Sequence, residues 1–184
     1  MKIKQLDKVI LNKYNLHITI KLLLGVMLFF IAFSVSARGV YQTDQDFLAE
    51  AFNSKIPKSK VIWMRGDVRQ DVADILGHNY VGLRIRYWQD EQRSAWVLEE
   101  IGKTEPITFG IVIADNKVER VKVLAFRESR GDEIRYPAFT KQFKQAELDD
   151  DQLDRHIDGI SGATLSVRAM TKVVRLALYL AKNH

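Results

Sequence analysis

The chain has 184 residues, with 28 Lys and Arg against 23 Asp and Glu, a formal net charge of +5 and no cysteine. That length suits one domain of ordinary size, and the absence of thiols excludes structural disulfides, thiolate-ligated iron–sulfur clusters, c-type haem attachment and a blue-copper site. The basicity is local: residues 1–37 hold five lysines and a single acid, Asp7, leaving 23 basic and 22 acidic residues for the rest, so there is no electrostatic footprint of a nucleic-acid surface.

Residues 1–37 read as an export signal. Lysines precede Leu22–Val35, a run of 14 residues without a charge, and Val35-Ser36-Ala37 supplies small residues where a signal peptidase cleaves. The run is short of the ~20 apolar residues that span a bilayer. Two outcomes stay open: cleavage near Ala37, giving a soluble periplasmic domain, or an uncleaved inner-membrane anchor formed by residues 18–35. Either places the following domain outside the cytoplasm, because the lysines stay inside.

Residues 38–79 form an N-terminal extension without a chemical motif. Thr43 or Asp44 caps a short helix through Asn53, with Phe47, Leu48, Ala51 and Phe52 on one face. Val61–Met64 is a short strand. A second helix runs from Val68 to Leu76 and stops at Gly77. From Tyr80 the pattern alternates with period 2, setting Leu83, Ile85 and Tyr87 against Arg84, Arg86 and Trp88. A polar turn leads to a strand from Ala95 to Glu99. Ile107–Ala114 and Lys117–Phe126 then form a hairpin about Asp115-Asn116, in which Val121, Val123 and Ala125 share a face. Residues 144–156 carry a run of charge and read as a solvated segment. The last helix, from Leu165 to about Ala181, has Val167, Met170, Val173, Val174, Ala177, Leu178 and Ala181 at helical spacing, with Arg168, Lys172, Arg175 and Lys182 on its solvated face. The expected class is α+β: a mostly antiparallel sheet with flanking helices and a long C-terminal helix. His78 and His156 stand outside any ligand pattern, so no metal site is expected.

Two stretches carry chemistry. The first is Asp158-Gly159-Ile160-Ser161-Gly162-Ala163-Thr164-Leu165-Ser166, a small-residue turn opening the last helix. Its free N–H groups and the helix dipole favour an anion, although Ser, Thr and Gly are also ordinary helix-capping residues. The second is Glu128-Ser129-Arg130-Gly131, after the hairpin, which is equally a polar turn with Gly at positive φ.

Asp158, Ser161, Gly162, Ala163 and Thr164 resemble the flavinylation motif of the FMN-binding domain family, which includes flavin-carrying subunits of Rnf and Nqr redox complexes; the resemblance spans residues 80–184. It implies that an ApbE-type flavin transferase joins FMN through its phosphate to the Thr164 hydroxyl, that Ser161, Gly162, Ala163 and Leu165 line the phosphate end, and that Asp158 serves recognition by the transferase. The second stretch resembles the family's Glu-Thr-Pro-Gly turn beside the flavin: Glu128 and Gly131 match, whereas Ser129 and Arg130 replace Thr and Pro, loosening the turn and adding a cation that can pair with Glu128 or approach the flavin. By this resemblance Glu128, Ser129 and Gly131 contact the cofactor. The function so implied is an exported electron-transfer flavoprotein with covalent FMN, working with a membrane redox partner. Two other classes remain, a flavin-free binding or sensing module and a periplasmic flavin reductase. The purified protein's colour separates the first, and multiple turnovers on a small acceptor separate the second.

Overall fold

The elements begin and end where local chemistry starts and stops them. In the computed structural model, which describes residues 39–184, the Thr43 hydroxyl accepts the Asp46 N–H at 3.1 Å and so caps α1, Asp44–Ala51. Helix α2, Asp67–Leu76, stops at Gly77, whose φ of 72° is the left-handed conformation that closes helices. The leader read over residues 1–37 lies outside the described residues. Among the described residues no helix is long and apolar enough to cross a membrane.

Five strands follow one another in space as in sequence: β1 Ser59–Trp63, β2 Arg84–Gln89, β3 Arg93–Ile101, β4 Pro106–Ala114 and β5 Lys117–Phe126. Every neighbouring pair is antiparallel. Asp115 and Asn116 join β4 to β5 with φ of 52° and 59°, the paired left-handed conformation of a two-residue hairpin turn that matches strand twist. Beyond β5 come a 3-10 turn at Asp132–Arg135, a short helix α3, Pro137–Thr140, the two-residue strands β6, Leu148–Asp149, and β7, Gln152–Leu153, and finally α4, Thr164–Asn183. The class is α+β, with a five-stranded antiparallel sheet and a long C-terminal helix.

Helices cover both faces. On one, α2 and α4 bury Val72, Leu76, Met170, Val173, Val174, Ala177 and Leu180 against Ile85, Trp96, Phe109, Ile111 and Val121. Trp96 has no exposed surface, stacks on Tyr87 at 4.6 Å, and donates its indole N–H to Ser94 Oγ at 2.9 Å. On the other face, α1 packs Phe47, Leu48 and Ala51 onto Ala95, Val112 and Leu124. The start of the described chain is tied to the same sheet: the Phe126 N–H donates to the Gly39 carbonyl at 2.7 Å, and Tyr41 N–H to the Leu124 carbonyl at 2.8 Å.

Several sequence expectations need correction. Ala125 does not share a face with Val121 and Val123. The register slips between Thr108 and Phe109, which pair with Ala125 and Val123. This bulge leaves Leu124, on the α1 face, as the extra residue, pairs Ala125 with Thr108, and brings Phe126 round beside Val123. Leu83 precedes β2 and is 73% exposed, because the chain joins the sheet only at Arg84. Lys172 is not on a solvated face. Strand β3 continues past Glu99, which buries Glu100, and that carboxylate takes the Lys172 ammonium at 3.3 Å and His78 Nε2 at 3.0 Å. Arg175 is half-buried and donates Nε to the Asp151 carbonyl at 2.6 Å. Residues 144–156 are folded rather than merely solvated. They contain the β6–β7 hairpin, held by Arg155, which donates to the Lys144 and Gln145 carbonyls and whose hydrogen bond to Asp154 keeps that carboxyl down at about 2.

The α1 face gives a stability prediction. A methyl group on Gly110 would lie 2.7–2.8 Å from three ring atoms of Phe47, and Phe47 is itself only 1% exposed. Gly110→Ala should therefore destabilise the domain by about 1–3 kcal/mol through overpacking. The check is the midpoint of chemical denaturation, which should fall at unchanged slope.

Candidate functional site

The loop entering α4 is pinned before it turns. The Asp158 N–H donates to Gln142 Oε1 at 2.8 Å, and Ile157 and Ile160 pack partly into the core. The Ala163 N–H then returns to the Ile160 carbonyl at 2.9 Å. Gly162 sits at φ of 83°, with open space where a side chain would stand. The helix begins at Thr164, one residue before the sequence expectation, and Ala163 at its cap position has no side chain able to accept a hydrogen bond. Val167 is the first residue to donate into the helix, to the Ala163 carbonyl. The N–H groups of Thr164, Leu165 and Ser166 are thus left without partners among the described residues, at a helix end carrying roughly half a positive charge. Thr164 and Leu165 are exposed, whereas Ala163 and Ser166 are buried.

The Glu128–Gly131 turn packs directly against this one. Gly131 has φ of 93°, and a methyl there would come within 2.7 Å of Ser166 Oγ and 3.3 Å of Ala163 Cα. Only glycine permits both the conformation and the approach. The third wall is the turn between β3 and β4. The Glu128 carboxylate accepts the backbone N–H groups of Lys103, of Thr104 at 2.6 Å and of Glu105 at 2.9 Å, and the Thr104 hydroxyl at 3.3 Å.

Together the three turns enclose a cleft of about 580 Å³ lined by Lys103, Glu128, Ser129, Arg130 and residues 162–166, within the size range of small-molecule sites. Of the residues expected from sequence, Glu128, Ser129, Gly162, Ala163, Thr164 and Leu165 line it. Gly131 lies beneath, as the contact between two walls. Ser161 and Asp158 stand outside the lining, and the Asp158 side chain is 84% exposed, 3.9 Å from His156. Arg130 lines the cleft and makes no ion pair with Glu128. Sequence reading missed Lys103 and Ser166. Ser166 was accessible in principle, two residues beyond Thr164 and within the motif stretch, but Lys103 is fixed at the cleft only by a carboxylate 25 residues further along.

A second cleft, of about 510 Å³, opens beside Tyr80, Val81 and the end of β3. Its buried charge, Glu100, is already satisfied by His78 and Lys172, and neither sequence motif reaches it. No group of three His, Cys, Asp or Glu among the described residues is placed to hold a metal ion.

The first cleft is lined by two cations, Lys103 and Arg130, and one carboxylate, Glu128. Burial alone raises the Glu128 carboxyl, but the N–H groups of Glu105, Thr104 and Lys103 and the Thr104 hydroxyl outweigh it and hold the group below its ordinary 4.5. Glu128 is therefore ionised at neutral pH and its charge is already solvated by the turn. Lys103, Arg130 and the α4 N-terminus leave the cavity attractive to an anion. A lowered folded-state pKa places the sign: the clamp contributes fully above the ordinary carboxylate value and is lost as pH falls through the lowered one. The amide resonances of Lys103, Thr104 and Glu105 should accordingly shift together in an NMR titration, with a midpoint below 4.5. A midpoint at or above that value would contradict the clamp.

No curated protein matches this chain. A family match does exist, running from the β3–β4 turn through both motif turns and most of α4. Residues 102–179 match the family model of the FMN-binding domain.

Proposed function

We propose that this protein is an exported electron carrier holding FMN through a phosphoester bond to Thr164. The observation that carries the reading is the placement of one exposed hydroxyl, Thr164, at the uncapped N-terminus of a 20-residue helix, on the wall of a cation-lined cleft. The residues fit the group. A phosphodiester keeps one negative charge, and the free N–H groups of residues 164–166 and the helix dipole would stabilise it by about 0.3–1 kcal/mol, up to about 2 if partly buried. The open space at Gly162 leaves room for phosphate oxygens against the backbone. Bound flavin supplies one- and two-electron transfer, and the chain's part is to hold it, shape its charge surroundings and keep an edge accessible.

The partners follow from the same features. A covalent link needs a flavin transferase of the ApbE type, and Asp158 together with the exposed Ser161 and Gly162 forms an accessible approach to Thr164. The charge-free run Leu22–Val35 behind five lysines supports export, either as a cleaved signal or as an inner-membrane anchor. Extracytoplasmic placement favours a covalent cofactor, because a dissociating one is lost by dilution, and it favours a membrane redox protein as the source of electrons.

Thr164 is exposed and makes no structural hydrogen bond, so removing its hydroxyl spares the fold. Thr164→Ala, co-expressed with the transferase, should keep the parent's denaturation midpoint and lose all flavin fluorescence on a denaturing gel. Fluorescence retained by that variant would move the attachment point elsewhere.

A further inference from the structure

The tightest polar cluster beside the cleft has no evident task in folding. The turn from Gly102 to Glu105 already closes on itself through the Gly102 N–H to Glu105 carbonyl bond of 3.1 Å. Its outer N–H groups are on the surface, where water would serve them. Instead a carboxylate from another segment, Glu128, collects three successive backbone N–H groups and a hydroxyl. Charge-assisted bonds of this number fix the tip of a turn far more firmly than its own closure does. The packing is close on the inner side as well, since a methyl on Gly102 would lie 3.0 Å from Glu128 Oε1. What the clamp places is Lys103, whose backbone it holds and which lines the same cleft as the Thr164 turn. Lys103 has no carboxylate within ion-pair distance among the described residues, so its charge is free to act on whatever fills the cleft.

We infer that Glu128 is a positioning residue rather than a flavin contact, and that Lys103, which it positions, is a cation that raises the flavin's reduction potential, beside Arg130 on the same cleft. This rests on the FMN reading above. Two-electron reduction with uptake of one proton leaves the ring with one more negative charge than before. A cation held beside the cleft favours that form by direct Coulomb attraction. Lys103 is exposed, so the effect is screened by salt. Glu128 acts in the opposite sense to its own charge. As an anion against the ring it would lower the potential, whereas as a clamp on Lys103 it raises it.

That opposition of sign makes the test decisive. The full chain is co-expressed with the transferase, and the potential of the attached flavin is measured by dithionite titration against a reference dye, for the parent, Lys103→Gln, Glu128→Gln and the double variant. Both single variants should have a lower potential than the parent, the Lys103→Gln shift should shrink in high salt, and Glu128→Gln should lower the potential no further in the Lys103→Gln background. Hydrogen exchange, read without reference to flavin, should quicken by roughly tenfold at residues 103–105 in Glu128→Gln. A raised potential in Glu128→Gln would make Glu128 a direct ring neighbour and overturn the assignment. So would an unchanged potential in Lys103→Gln, additive shifts in the double variant, or unchanged exchange at residues 103–105. A parent chain that carries no flavin would overturn the underlying reading instead, and that outcome is distinct because it is seen before any variant is compared.

Discussion

The register of α4 on the sheet decides where everything else at the cleft stands. Its apolar stripe, with Met170, Val173, Val174, Ala177 and Leu180 fully buried, leaves one way for the helix to lie, since each Met, Val or Leu side chain withdrawn from the core would cost about 1.5–3 kcal/mol. The first turn is part of the same rigid rod. With Ser166 turned inward and Thr164 and Leu165 outward, the first turn of the helix presents one exposed hydroxyl, Thr164, and three free N–H groups, while Ala163 at the cap position has no side chain to satisfy them. A Ser, Asp or Asn at position 163 would satisfy one of those N–H groups internally and leave fewer of them free.

The site is assembled from three turns that are distant in sequence, and two contacts bring them together. Gly131 lets the post-hairpin turn rest on Ser166 and Ala163, and Glu128 in that same turn seizes the β3–β4 turn. Both therefore depend on where β5 ends. The bulge at Leu124 contributes here: it adds a residue to β5 and alters which face Phe126 and the following turn approach. The sheet thus acts as a frame whose exact strand lengths set the distance between helix terminus and opposing wall.

Much of this was legible in the sequence. The period-2 runs, the Asp115-Asn116 turn, the Gly77 stop and the apolar stripe of α4 each signal their element locally, and the structure contains all of them. The motif turn was legible as the start of a long helix, but Ser, Thr and Gly there are equally ordinary capping residues, and only the family resemblance set the anion reading above capping. Features that depend on pairing across the chain were not. A bulge at Leu124 has no composition signal, since either register keeps an apolar residue inside. Lys172 looked like a solvated helix charge because its partner, Glu100, becomes buried only when β3 runs past Glu99. Lys103 drew no reading from sequence, because the group that gives it a fixed place, Glu128, comes from the far side of a hairpin.

The central claim is a bond between FMN and Thr164. The direct measurement is the intact mass of the full chain after co-expression with an active flavin transferase, followed by peptide mapping. The account predicts a mass increase of one FMN less one water, located on the peptide containing Thr164. An unmodified chain, obtained while the same transferase modifies a control substrate, would contradict it.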